Sequence, residues 1–279
     1  MKPIAKAGLV CCSDGEPDRR KEQHGALRRV LEKRGIEPVF SPYIYARQGG
    51  AAGTAAERAE AVSRFFRDGS VDAVFDLSGG DMANEILDGL DYEAIARSHA
   101  RFWGYSDLTT VINGIYAVTG KDSVLYQVKN LILDQGEEQQ KAFFSEGSRE
   151  LFDLPVRFLR GSHMEGVVVG GNIRCLLKLA GTRYFPDMEG KLLLLEANSG
   201  QVPQMITYLS QLSQLGVFEK ISGVLLGTFS QMEREKLGPA MEELVLARVP
   251  ERVPVAKTDK IGHGTDARAI RIGREYSFG

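Results

Sequence analysis

RFWGYSDLTTVINGIYAVTG, residues 101–120, changes its period part-way along. Arg101 to Tyr105 is short and aromatic-rich, with Gly104 near its end, which suits a buried strand reaching the rim of a sheet. From Leu108 the apolar residues take helical spacing, with Leu108, Val111, Ile112, Ile115 and Tyr116 on one face. Between the two lies Gly104-Tyr105-Ser106-Asp107. A sharp strand-to-helix turn lifts one side chain clear of the sheet and points the first free helix N–H groups at whatever binds there. A serine on such a turn is placed to act as a nucleophile. Ser106 or Asp107 also suits the N-cap position, and from this stretch alone the cap is the commoner use.

The chain on either side repeats the alternation. Ala7–Cys12, Ile36–Phe40 and Val71–Leu77 read as buried strands. Arg19–Arg34 reads as an amphipathic helix with Ala26, Leu27, Val30 and Leu31 inward and Gly35 ending it, and Ala55–Phe66 as a second helix. Gln48–Thr54 is a Gly- and Ala-rich loop. Ser78-Gly79-Gly80 closes the third strand, before a helical stretch with Ala83, Ile86 and Leu87 and a short helix at Ala94–Ser98. This rhythm predicts a doubly wound, mostly parallel α/β sheet with helices on both faces. Ligands bind beyond the carboxyl ends of such strands, where Gly79-Gly80 and Ser106 both fall.

A strand at Val124–Val128 and a charged helix at Glu137–Phe144 follow. Beyond them, strands are expected at Val156–Leu159, Gly166–Val169, Leu192–Leu195, Gly223–Leu226 and Ala269–Ile272. Helices are expected at Ile173–Leu179, Pro203–Leu215 and Pro239–Ala247. The division that results is a first domain over 1–133, a linker over 134–153 and a second domain over 154–279.

A formal net charge of -2 on 279 residues supplies no field to recruit nucleic acid or an anionic membrane. No run approaches the ~20 apolar residues of a membrane span, and the N-terminal apolar run is short for a signal peptide. Three cysteines, two of them adjacent, make no disulfide framework and fit the cytoplasm. The scattered His and Cys lack zinc-ligand spacing, so no metal or other cofactor is expected.

A serine hydroxyl needs a base to take its proton, and that base needs a third group to orient it. His24 reads as a surface residue of the first helix, His99 as the end of the helix before the central strand, and His163 as a loop residue. His263 differs, lying between glycines in Ile261-Gly262-His263-Gly264-Thr265-Asp266, where close backbone approach is possible. A lone loop histidine is still most often a surface residue. Glu196 ends the apolar run Leu192–Leu195, where packing can fix a carboxylate against an imidazole; a strand-end acid facing water is as common. Gly79-Gly80 and the N–H of Asp107 could form an oxyanion hole, or simply a turn. Cys11 and Cys12 read as buried small hydrophobes rather than nucleophiles. Gly170-Gly171-Asn172 lacks the spacing of a phosphate loop.

Together these residues resemble the LD-carboxypeptidase family of serine peptidases, including its microcin-immunity-type members. The matching pieces run in family order: Ser78-Gly79-Gly80 with Asn84 and LDGLDYEAI (87–95), then WGYSDLTT (103–110). EGVVVGGNIRCLLKLAGTRYFPDMEGKLLLLE (165–196), GVFEKISGVLLGTF (216–229) and IGHGTD (261–266) follow. The resemblance implies a triad of Ser106, Glu196 and His263, with oxyanion donors at the N–H groups of Asp107 and Gly80. It implies a doubly wound N-terminal domain bearing the serine and a smaller, β-rich C-terminal domain bearing the other two. It also implies a homodimer without a metal, acting on a small peptide: the L,D bond of a murein tetrapeptide, with a microcin-like peptidyl nucleotide as second choice. The chain departs from the family pattern in three places. Residues 126–165 are short and lack the His/Tyr-Gly-Pro and Trp features, Glu196 is followed by Ala-Asn-Ser-Gly, and Thr265-Asp266 stands where a proline is frequent. These departures keep open a ligand-binding homologue without catalysis.

Overall fold

The computed structural model describes residues 3–47 and 49–279; of the expected loop Gln48–Thr54, Gln48 lies outside the described residues. Strands β1 (Lys6–Val10), β2 (Glu37–Phe40), β3 (Ala73–Asp76), β4 (Arg101–Gly104) and β5 (Ser123–Leu125) are parallel, in the order β5-β4-β3-β1-β2. Because side chains alternate across a strand, neighbouring residues are buried on opposite faces. Leu9, Phe75 and Trp103 pack with Leu27 and Leu31 of helix α1 (Lys21–Lys33). Val10, Val74 and Phe102 pack with Val62 and Phe66 of α2 (Ala55–Arg67). Helix α2 starts at a capping box in which Thr54 and Glu57 each bond the other's backbone N–H. It lies so close to β1 that a methyl at Gly8 would overlap the Phe65 ring.

Helix α3 (Tyr92–Arg97) leads into β4, and α4 (Thr109–Thr119) follows it. Residues 134–153 fold against the α1 face: Phe143, at the end of α5 (Gly136–Phe143), and Leu151 are buried with Trp103 and Tyr126.

The second sheet contains β6 (Arg157–Arg160), β7 (Met164–Asn172), β8 (Leu192–Ala197), β9 (Gly223–Phe229) and β10 (Val255–Lys257). β7, β8, β9 and β10 are parallel neighbours, and β6 lies antiparallel beyond β10. Two more strands come from the end of the chain. β11 (Ile270–Ile272), expected among the second-half strands, pairs antiparallel with β5 and so belongs to the first sheet. β12 (Glu275–Phe278) pairs antiparallel with β7 in the second. The fold is the expected mostly parallel α/β arrangement, built as two sheets.

Helix α4 lies between the sheets, and this sets where the site forms. Val111, Ile112 and Ile115 share one core with Phe102 of the first sheet and with Val168, Leu192 and Leu194 of the second. Every residue from Thr109 to Ile115 is buried, a wider belt than the single apolar face the sequence predicts. Its polar residues are the clasp. Asn113 Nδ2 donates to the Gly170 carbonyl and Asn113 Oδ1 accepts from the Gly170 N–H, both at 2.9 Å. Thr109 Oγ1 accepts from the Asn172 N–H at 3.0 Å. The Gly170-Gly171-Asn172 run is therefore engaged by α4 rather than open as a phosphate cradle. Gly170 has φ +106°, and a methyl there would overlap the Leu194 carbonyl oxygen. Gly170→Ala is expected to destabilise the protein by at least about 2–3 kcal/mol, since backbone strain adds to a clash with main chain. An unfolding midpoint in denaturant equal to that of the parent would refute this account of the clasp.

Candidate active site

Ser106 stands where β4 gives way to the turn before α4. Its φ of +57° is left-handed, a conformation that costs a non-glycine residue about 1–2 kcal/mol and marks a turn held by its surroundings. Gly104 permits that turn, since a Cβ there would come within 2.7 Å of Leu108 Cβ. The Ser106 Oγ lies 3.0 Å from His263 Nε2. On the other side of the imidazole, Nδ1 is 2.8 Å from Glu196 Oε2. The contact is close but does not have the geometry of a formed hydrogen bond. Such bonds often tighten only when substrate is present.

Each of the three is positioned by a local device. Glu196, the next-to-last residue of β8, is fully buried, and its Oε2 accepts a hydrogen bond from the Tyr105 hydroxyl at 3.0 Å. Burial and the Glu196 charge push the Tyr105 phenol well above its usual range, so it remains a donor. The Tyr105 ring also meets the His263 ring edge-on at 4.9 Å. Residues 261–266 approach β9 closely: the Thr228 N–H donates to the Ile261 carbonyl at 2.7 Å, and a methyl at Gly227 or Gly262 would overlap this contact region. The glycine before His263 is thus required by proximity, as its position in the sequence implies.

Of the two expected oxyanion donors, Asp107 follows Ser106 in the same turn, and Gly80 lines the cleft that Ser106 lines. The Asp107 N–H is among the first of the helical turn, which have no intrahelical acceptor. Gly80 has φ +125°, and a methyl there would overlap the Asp14 carboxylate. The Asp107 carboxylate, which the sequence offered as an N-cap, makes no cap bond and is fully buried. It accepts from the Ser13 hydroxyl, the Ala83 N–H and Lys178 Nζ, each at 2.7 Å. Ser13 Oγ in turn accepts from the Met82 N–H at 3.1 Å. The loop that carries Gly80 is so tied to the turn that carries Ser106. Ser78, Gly79, Gly80, Ser106 and His263 all line one cleft of about 350 Å³.

The other histidines stay outside this group. His24 is the one misread residue. Expected at the surface, it is 4% exposed, packed near Phe40 and Tyr45, with Nε2 3.5 Å from Glu16 Oε2. The reason is helix phase, since Leu27 and Leu31 bury the same face of α1. His99 pairs with Asp72 at 3.0 Å, and His163 is exposed, 3.6 Å from Glu165. Glu16 is itself buried. Burial pushes its carboxyl up, but the bonds with His24, Lys129 and Arg20 outweigh that and hold it at about 2. Cys11 and Cys12 are buried, and desolvation followed by the Asp76 charge pushes both thiols up, away from the thiolate a nucleophile requires.

Residues 7–126 match the LD-carboxypeptidase N-terminal domain and residues 165–278 the LD-carboxypeptidase C-terminal domain. The chain belongs to the LD-carboxypeptidase family. Membership makes it a peptidase. Among its relatives, the probable murein peptide carboxypeptidase of Bacillus subtilis is 29% identical over 278 residues, covering 94% of this chain and 85% of that protein. The murein tetrapeptide carboxypeptidase of Pseudomonas aeruginosa is 27% identical over 266 residues, covering 89% and 86%. Among solved structures, the MccF-like protein from Bacillus anthracis has a TM-score of 0.85 at 21% identity, covering 99% of this chain and 94% of that one. The muramoyltetrapeptide carboxypeptidase from Oxalobacter formigenes has a TM-score of 0.80 at 21% identity, covering 98% and 94%. These two share the fold of this LD-carboxypeptidase-family chain.

Proposed function

We propose that the chain is a serine carboxypeptidase that removes the C-terminal D-alanine of a murein tetrapeptide by hydrolysing an L,D amide bond. The observation that carries this reading is the line from the Ser106 hydroxyl through the His263 imidazole to buried Glu196. Ser106 Oγ attacks the scissile carbonyl while His263 Nε2 takes its proton. Glu196 stabilises the imidazolium that forms and keeps the ring in register. The N–H groups of Asp107 and Gly80 receive the developing oxyanion. His263 then returns the proton to the departing amine, leaving an acyl ester on Ser106. Water, deprotonated by the same imidazole, attacks that ester, and Ser106 recovers its proton as the shortened peptide leaves. The names of the relatives from Bacillus subtilis and Pseudomonas aeruginosa support the choice of substrate. Free buried thiols at Cys11, Cys12 and Cys175 suit work in a reducing cytoplasm.

The test offers a murein tetrapeptide and an aminoacyl sulfamoyl adenylate side by side and identifies products by mass spectrometry. D-Alanine and the tripeptide are the expected products, absent with Ser106→Ala. Cleavage of the adenylate alone would move the substrate to the microcin type. Ligand binding without cleavage of either, and without labelling of Ser106 by a serine-directed phosphonate, would leave a binding protein.

A further inference from the structure

The cleft beside Ser106 and His263 has a lopsided charge. Arg20, Lys129 and Arg268 line it, and among the described residues no Asp or Glu shares that lining. The three come from distant places: the turn before α1, the helical turn after β5, and the segment entering β11. Their convergence on one cleft is a product of the fold.

Two of them are held from behind. Glu16 is 2% exposed and accepts from Lys129 Nζ at 2.7 Å through Oε1, while Arg20 Nη1 approaches both of its oxygens at 3.2 and 3.1 Å. An ammonium has three donors and a guanidinium five, so each keeps donors free for a ligand. Arg268 spends Nη1 on the Glu150 carbonyl at 2.8 Å, and among the described residues no carboxylate pairs with it. Three cations therefore line the cleft, with Glu16 the one carboxylate that pairs with any of them among the described residues. A cleft with low-dielectric walls focuses their charge on whatever enters.

We infer that this part of the cleft is a carboxylate subsite, in which Lys129 and Arg268, together with Arg20, receive the free C-terminal carboxylate of the leaving residue. The inference rests on the reading of the cleft as a carboxypeptidase site and assigns the residues that make it select a chain end. Glu16 is a positioning residue here. Burial in its grip fixes the Lys129 side chain, 13% exposed, before ligand arrives, so little rotamer entropy remains to be lost on binding.

The test uses full-length Ser106→Ala protein and two probes, an N-acyl-L-lysyl-D-alanine and its C-terminal amide, titrated by calorimetry. A charge-assisted pair predicts that the acid binds roughly ten- to a hundredfold tighter than the amide. Lys129→Gln and Arg268→Gln are each expected to lower that acid-to-amide ratio several-fold. Arg268 has no carboxylate partner to strand, so its variant reports even if Lys129→Gln unfolds. Equal affinity for the two probes, binding of neither, or a ratio untouched by Arg268→Gln overturns the inference. Phosphonate labelling of Ser106 in the unaltered protein reads the nucleophile separately. A failed subsite with a labelled serine thus differs from failure of the hydrolase reading.

Discussion

Ser106→Ala is expected to lower kcat by on the order of 10⁴ or more, the scale on which a triad nucleophile is lost. The expectation rests on the 3.0 Å approach of His263 Nε2 to Ser106 Oγ and on the left-handed turn that presents the hydroxyl to the cleft. Alanine is as strained as serine at φ +57°, so the substitution leaves the turn's conformational cost unchanged. It removes one hydrogen bond, worth about 1 kcal/mol. The variant should therefore fold, bind peptide and fail to cleave it, which separates chemistry from stability. Steady-state assay of D-alanine release, with a thermal melt on the same sample, makes the comparison. Turnover within tenfold of the parent would rule the mechanism out.

Glu196→Gln is expected to cost roughly 10³–10⁴ in kcat with little change in KM, by analogy with loss of the acid that orients a triad imidazole. The amide keeps the shape of the carboxylate and can still accept from the Tyr105 hydroxyl. It cannot offset the charge that forms on His263 when the imidazole takes the proton, and its NH₂ can face Nδ1 as a donor against a donor. Glu196 is wholly buried, and among the described residues it is the one carboxylate that pairs with His263. The readout is kcat and KM measured separately. A rise in KM at constant kcat would place Glu196 in substrate binding instead.

Each of the three central side chains sits at a local signal: a strand-to-helix turn, the end of an apolar strand, a loop flanked by glycines. Those signals alone left a cap, a solvent-facing acid and a surface histidine as common or commoner, and only the resemblance of the ordered stretches joined them. What lay around them was less legible. The burial of His24 could have been read, since positions 24, 27 and 31 share a helical face. The Asp107 carboxylate could not, because its partners Ser13, Ala83 and Lys178 are far from it in sequence and meet only through the fold. Strand β10 is three residues long, too short for a periodic signal. Strand β11 was found as a strand, but its partner was not, because Ile270 pairs with Leu125 across most of the chain. Period reports which residues are buried; it does not report against what.

That last pairing has a mechanical meaning. The segment bearing the imidazole leaves from β10, anchored in one sheet, and lands at β11, anchored in the other. It is a bridge with an abutment on each bank, and the proton acceptor stands near mid-span. Any tilt of one bank against the other must shift that ring relative to the hydroxyl it serves. Neither half of the molecule can assemble the relay unaided, so proton transfer is available only to a chain whose two sheets have both closed on the helix between them.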